Sequence, residues 1–181
     1  MRLYAVRHLA PDVDAGVCYG RTDLAIAPGL LARDLPRLRA SLPAEAPLFS
    51  SPLRRCAAIA EALGGATVQY DARLAELDFG SWEMRRWSDI ERASIDAWVA
   101  DMAGYRPGGG DSVNAMAHRV AAFYDERLRD RAPAATVICH AGTIRLLLAR
   151  ARGLDPQAMA LEAAQHPHAI AYGETVLIDC V

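Results

Sequence analysis

Apolar positions along this chain follow two periods. Short β-rich runs occur at Arg2-Leu3-Tyr4-Ala5-Val6, Pro47-Leu48-Phe49-Ser50, Thr67-Val68-Gln69-Tyr70, Thr136-Val137-Ile138-Cys139 and Glu174-Thr175-Val176-Leu177-Ile178. Helical spacing separates most of them. Leu31, Leu35, Leu38 and Leu42 follow Pro28-Gly29, and Leu53, Cys56, Ala60 and Leu63 precede Gly64-Gly65. Strands alternating with helices predict an α/β fold with a mostly parallel central sheet and helices on both faces.

From about residue 71 to residue 131 the strand signals fade. Ser88-Asp89-Ile90-Glu91 has capping-box spacing ahead of a helix bearing Ile95, Trp98, Val99 and Met102. A further amphipathic helix carries Val113, Met116, Val120, Phe123 and Leu128 after the loop Pro107-Gly108-Gly109-Gly110-Asp111-Ser112. The stretch 71–131 therefore reads as a helical insertion over one sheet edge, within a single domain spanning 1–181. The glycine loop reads as a connection ending in a helix cap, Trp82, Trp87 and Trp98 as packing inside the insertion, and His118 as structural.

Two strands run directly into histidine, at Arg7-His8 and Cys139-His140. In a parallel sheet, carboxyl ends of strands open onto the ligand crevice, so both are candidate site residues. In Ser51-Pro52-Leu53-Arg54-Arg55, Ser51 can cap a helix and Pro52 fits its first turn. Arg54 and Arg55 then oppose the positive end of the helix dipole, at a cost of a few tenths to about 1 kcal/mol, and Arg145 repeats the oddity after His140. An anion nearby, or simple solvation, accounts for such arginines. Arg7, His8, Arg55 and His140 would together form a cationic pocket suited to phosphate. An acid is available in Leu74-Ala75-Glu76-Leu77-Asp78-Phe79-Gly80, where apolar neighbours would keep Glu76 protonated, with Asp78 as the competing carboxylate.

Composition narrows the partners. The 181 residues are 52% apolar and 23% charged, which is ordinary for one globular domain, and the formal charge of -2 offers no basic field for nucleic acid. No apolar run reaches membrane-spanning length, and the first charged site leaves no room for a signal peptide, so a cytoplasmic protein is expected. The four cysteines, at 18, 56, 139 and 180, lie far apart and read as reduced thiols. His166-Pro167-His168 lacks a third ligand and reads as a loop at the pocket rim before the last strand, so no metal is expected.

These residues resemble the histidine phosphatases, the phosphoglycerate mutase-like superfamily, whose hallmark is Arg-His-Gly at the end of the first strand; here it is Arg7-His8-Leu9. Ser51-Pro52-Leu53-Arg54-Arg55, Leu74-Ala75-Glu76 before Phe79-Gly80, and a second histidine after a late strand complete the pattern in order across residues 2 to 145. The resemblance implies that His8 accepts the phosphoryl group, that Arg7, Arg55 and His140 bind phosphate, and that Glu76 gives and takes the proton. It also implies catalysis without a metal or other cofactor, on a small phosphorylated metabolite. Gly16 to Leu24 and the Pro107 to Ser112 loop are most similar to the branch containing α-ribazole phosphatases of cobalamin biosynthesis. Several positions depart from the family: Leu9 and Ala141 replace glycines, Ile59 a threonine, Met84 the glycine after Trp82-Glu83, and Asp111 a glutamate.

Three other readings remain open. Phosphoglycerate mutase-type transfer is one, although that group's Ser and Asn after Arg-His-Gly are absent. Cys139-His140-Ala141-Gly142-Thr143-Ile144-Arg145 has the Cys-x5-Arg spacing of cysteine-dependent phosphatases. A noncatalytic phospho-ligand binder is the third.

Overall fold

The computed structural model describes residues 1–64, 67–128, 132–166 and 169–180. Five strands form one sheet: β1 (Arg2–Arg7), β2 (Leu48–Ser50), β3 (Gln69–Tyr70), β4 (Ala134–Cys139) and β5 (Thr175–Asp179), in the order β3-β2-β4-β1-β5. All neighbours are parallel except β5, which runs antiparallel along β1. The central strands explain this choice. β1 and β4 bury Leu3, Ala5, Val6, Val137, Ile138 and Cys139, side chains of both faces, as unbroken apolar runs do when helices cover both sides.

The register of these two strands sets up the chemistry. Arg7 lies opposite Cys139, so the next residues, His8 and His140, emerge side by side at one sheet edge. On one face, α1 (Leu30–Ser41) and α2 (Arg54–Gly64) pack Leu38, Cys56, Ile59 and Ala60 against Val6, Leu9 and Ile138. The sheet packing expected of both helices is observed.

Residues 71–128 divide in two. The first part forms short 3₁₀ turns at Ala72–Leu74, Gly80–Trp82, Trp87–Asp89 and Pro107–Gly109 around α3 (Arg92–Ala100). Its aromatic cluster gathers Trp82, Ile90 and Cys18 with Phe79, Ile95, Trp98 and Tyr105, and the exposed Trp87 stacks on Trp98, so the tryptophans do pack on one another here. The second part, α4 (Val113–Phe123), instead joins α5 (Ala141–Ala151) and α6 (Pro156–Gln165) as the other helical layer on the sheet. α4 passes into a π-turn at Tyr124–Leu128, which keeps Leu128 buried.

Some local expectations change. α3 starts at Arg92 with Glu91 at its N-cap and no side-chain cap, because Ser88 is drawn into the turn Trp87–Asp89, where its hydroxyl donates to Asp89. Ser112 does cap α4, accepting from the Ala115 N–H at 3.1 Å. α6, which carries only Met159 and Ala160 into the core, adds an element that its weak apolar stripe did not announce. Its start is set by Asp155, which accepts from the Ala158 N–H, and by Pro156 in the first turn. Among the described residues, no helix is long and apolar enough to cross a membrane.

Candidate active site

At the shared ends of β1 and β4 the His8 and His140 rings meet edge-on, centroids 5.1 Å apart at 61°. His8 is 3% exposed, and its Nδ1 lies 2.7 Å from the Leu9 carbonyl oxygen. A carbonyl only accepts, so Nδ1 carries the proton and donates it, which leaves a bare lone pair on Nε2. Burial, then the Arg55 charge, push the His8 imidazole down to about 3, against the opposing Leu9 hydrogen bond and with a smaller push from Arg7. At neutral pH the ring is therefore an uncharged base.

His140 caps the start of α5, fully buried, with Nε2 2.9 Å from the Ser51 hydroxyl and 3.5 Å from the Cys56 thiol. Burial, reinforced by His8 and Arg55, holds it well below the ordinary imidazole value. Ser51 thus both begins the turn into α2, accepting from the Leu53 N–H at 3.4 Å, and orients the second histidine.

The two arginines differ in how they are held. Arg55, fully buried at the start of α2, donates from Nη1 to the Thr22 carbonyl at 2.7 Å and from Nη2 to the Gly20 carbonyl. Arg7 donates to the Ile170 carbonyl at 2.6 Å and stacks 3.9 Å from the Tyr172 ring centroid. Neither Nε has a partner among the described residues. Guanidinium groups that meet carbonyl dipoles and tyrosine rings, but no carboxylate among the described residues, leave unneutralised charge beside His8, which an anion would complete.

Glu76 follows the Ala72–Leu74 turn and is half-buried. Its carboxylate accepts the N–H of Leu77 on Oε1 and of Gly142 on Oε2, each at 3.1 Å. The apolar enclosure expected around it is thus replaced by amide donors. A Cβ at Gly142 would sit 2.4 Å from Oε1, so this approach requires glycine. Asp78 does not compete: it caps the Gly80 N–H at 2.7 Å and pairs with Arg21 at 3.7 Å, away from the cavity.

Sequence reasoning missed four residues. Arg119 on α4 donates to the Arg73 and Ala75 carbonyls at 2.6 Å and to that of Glu76 at 3.1 Å, fixing the segment that carries the acid. Glu83 accepts the N–H groups of Gly20, Arg21, Thr22 and Phe79 and the Thr22 hydroxyl. Burial pushes the carboxyl up, but these hydrogen bonds outweigh it and hold the group below the ordinary value. Tyr19 and Tyr172 share a 2.6 Å hydroxyl contact, and the Tyr172 ring lies 5.5 Å from His8. Tyr19 and Glu83 fall in segments that resemble the family, but no local periodicity shows what any of the four does, since each acts mainly on segments distant in sequence.

A cavity of about 350 Å³ opens beside His8, lined by Arg7, Arg55 and Glu76 and by apolar side chains including Leu77, Phe79, Trp98 and Met116. His140 does not line it; it backs His8 from within the sheet. Arg145 reaches the wall, but its guanidinium donates to the Ala163 and His166 carbonyls. Cys139 is fully buried in the core, and burial raises its thiol well above the ordinary value, so it presents no thiolate and the Cys-x5-Arg reading fails. Leu9 turns its side chain into the core beside Val6 and Leu38, clear of the cavity, whereas Ala141 lines it. His166 is exposed, its Nδ1 near the Glu162 carbonyl at 3.1 Å, and His168 lies outside the described residues. Among the described residues, no group of three or more His, Cys, Asp or Glu could hold a metal ion.

Residues 3–171 match the histidine phosphatase superfamily (branch 1). An adenosylcobalamin/alpha-ribazole phosphatase of Escherichia coli is 33% identical over 97 residues, which span 51% of this chain and 47% of that protein. A solved phosphoglycerate mutase of Thermus thermophilus aligns at 29% identity over 99% of this chain and 93% of its own, with a TM-score of 0.74. A mycobacterial glucosyl-3-phosphoglycerate phosphatase shares the fold, with a TM-score of 0.78 at 23% identity over 97% of this chain and 91% of its own.

Proposed function

The chain belongs to the histidine phosphatase superfamily, and we propose that within it residues 1–181 act as one catalytic domain, a metal-independent phosphomonoesterase. The observation that carries this reading is the buried His8 imidazole, its Nδ1 proton fixed on Leu9, in one cavity lining with Arg7 and Arg55, whose charges act on it. In the first step Nε2 attacks phosphorus in line, the ester P–O bond breaks, and Glu76 in its acid form gives its proton to the departing alkoxide. Arg7 and Arg55 stabilise charge on the phosphoryl oxygens, while His140 packs behind His8. In the second step the Glu76 carboxylate takes a proton from water, which attacks the phosphohistidine and releases inorganic phosphate. His8 returns to its starting form.

Hydrolysis rather than mutase transfer is favoured by the lining of the cavity, where, among the described residues, the cation beyond Arg7 and Arg55 is Arg145, already engaged with two carbonyls. Four free thiols suit the cytoplasm. The α-ribazole phosphatase relative makes α-ribazole 5′-phosphate the first substrate to try, in cobalamin biosynthesis. Turnover of a generic aryl phosphate in EDTA is expected to survive Cys139→Ser and to fall about a thousandfold or more in His8→Ala. Binding of inorganic phosphate with no turnover by the unaltered protein would identify a noncatalytic binder instead.

A further inference from the structure

Two loops far apart in sequence meet beside His8, each bringing a tyrosine. Residues 171–174 form a turn closed by the Glu174 N–H on the Ala171 carbonyl at 3.1 Å. Within it Gly173, at φ 71°, donates its N–H to the carbonyls of Arg7 and His8 at 3.1 and 3.2 Å. A Cβ there would lie 2.8 Å from Leu9 Cδ2, so this close approach to the end of β1 requires glycine. The approach lays Tyr172 across the site, its ring centroid 3.9 Å from the Arg7 guanidinium carbon and 5.5 Å from that of His8. From the second loop comes Tyr19, next to the Gly20 carbonyl that anchors Arg55 and 5.6 Å from the Arg55 guanidinium carbon. The two hydroxyls are 2.6 Å apart, so one donates its hydrogen to the other. Burial, then the Tyr172 hydroxyl, push the Tyr19 phenol up against the opposing charges of Arg7 and Arg55, and it keeps its proton.

A guanidinium grips a phosphoryl group with two parallel N–H donors only while its plane is fixed. Arg55 has two carbonyls to fix it. Among the described residues Arg7 donates to one, that of Ile170, and its Nε has no partner, so the Tyr172 face supplies the second constraint on its plane. We propose that Tyr172 and Tyr19 are positioning residues for phosphate: the Tyr172 ring holds the plane of Arg7, and the shared hydroxyl hydrogen ties that ring to the loop that anchors Arg55. The proposal rests on the phosphatase reading for its setting and adds to it the device that keeps the two cations in register.

The test measures binding of inorganic phosphate by titration calorimetry, which needs no turnover, beside kcat/KM for an aryl phosphate. Tyr172→Ala is expected to raise the phosphate dissociation constant about tenfold, and Tyr172→Phe, which keeps the ring, about two- to threefold. Tyr172 is 43% exposed, so neither change opens a core cavity, and the urea midpoint should hold. Tyr19→Phe should match Tyr172→Phe, and the double Phe variant should bind no more weakly than either single one, because the two hydroxyls act as one link. The kcat/KM values should fall in the same order. Unchanged phosphate affinity in Tyr172→Ala overturns the proposal. Equal losses in Tyr172→Ala and Tyr172→Phe overturn the role of the ring, and Phe effects that multiply in the double variant overturn the hydroxyl link. The expected pattern of affinities in a protein that hydrolyses no ester supports the positioning role and overturns the phosphatase reading alone. No phosphate binding by the unaltered protein overturns both.

Discussion

At the scale of single residues, backbone conformation decides what a departure from the family pattern means. Met84 stands where the family has glycine, and its φ is 63°, the left-handed region that L side chains avoid. Its side chain is 49% exposed, so little packing offsets the strain. Met84→Gly is therefore expected to raise stability by about 0.5–1 kcal/mol, the left-handed penalty less the glycine entropy cost, as measured by urea unfolding. A loss of stability would show that the methionine side chain contributes more than its exposure indicates. Leu9 has the opposite outcome. It also replaces a family glycine, but its side chain turns into the α1–α2 core, leaving its carbonyl to hold the His8 proton. That His8, Arg7, Arg55 and Glu76 share one cavity was readable in the sequence, whereas the place of His140 behind it was not. The direction in which Leu9 points was not, because it depends on φ and ψ rather than on residue type.

At the scale of elements, periodicity located strands and helices well, whereas contacts between distant segments were invisible. The Pro107 to Ser112 loop was readable as a connection ending in a cap; the reason for its glycines was not. A Cβ at Gly108 would lie 2.2 Å from the Phe79 carbonyl oxygen, and one at Gly110 would lie 2.1 Å from that of Asp78. The loop packs backbone to backbone on the segment after Glu76, which leaves no cradle for phosphate there. Glu83 works similarly across sequence. It fastens the Gly20–Thr22 loop whose carbonyls anchor Arg55, so it is a positioning residue for the phosphate end. Glu83→Ala leaves several donors unsatisfied and is expected to cost about 2–4 kcal/mol of stability. In the fraction that remains folded, the dissociation constant for inorganic phosphate should rise about tenfold, a change of about 1.4 kcal/mol, by titration calorimetry. Unchanged phosphate affinity would reduce Glu83 to a purely structural role.

For the molecule as a whole, burying two neutral imidazoles ties folding to pH. His8 titrates at about 3 in the folded protein against an ordinary 6.5, and His140 is displaced in the same direction. Between those values the unfolded chain binds more protons, so stability rises with pH; it is fully present above about 6.5 and is lost as pH falls toward 3. The limiting slope is about 1.4 kcal/mol per pH unit for each histidine. Glu83, displaced below its ordinary 4.5, acts in the same sense but only at lower pH, so the histidines dominate above about pH 5. Lowering the pH from 7 to 5.5 should therefore remove about 2 kcal/mol from the urea-unfolding free energy, with His8→Gln abolishing about half of that loss. A flat profile over this interval would mean that the imidazoles are hydrated or charged in the folded state. The same burial keeps Nε2 of His8 unprotonated in the free protein throughout the interval. Acid should thus deplete the folded population before it depletes the nucleophile, and a decline in kcat/KM between pH 6 and 5, corrected for the folded fraction, has to come from the substrate phosphate.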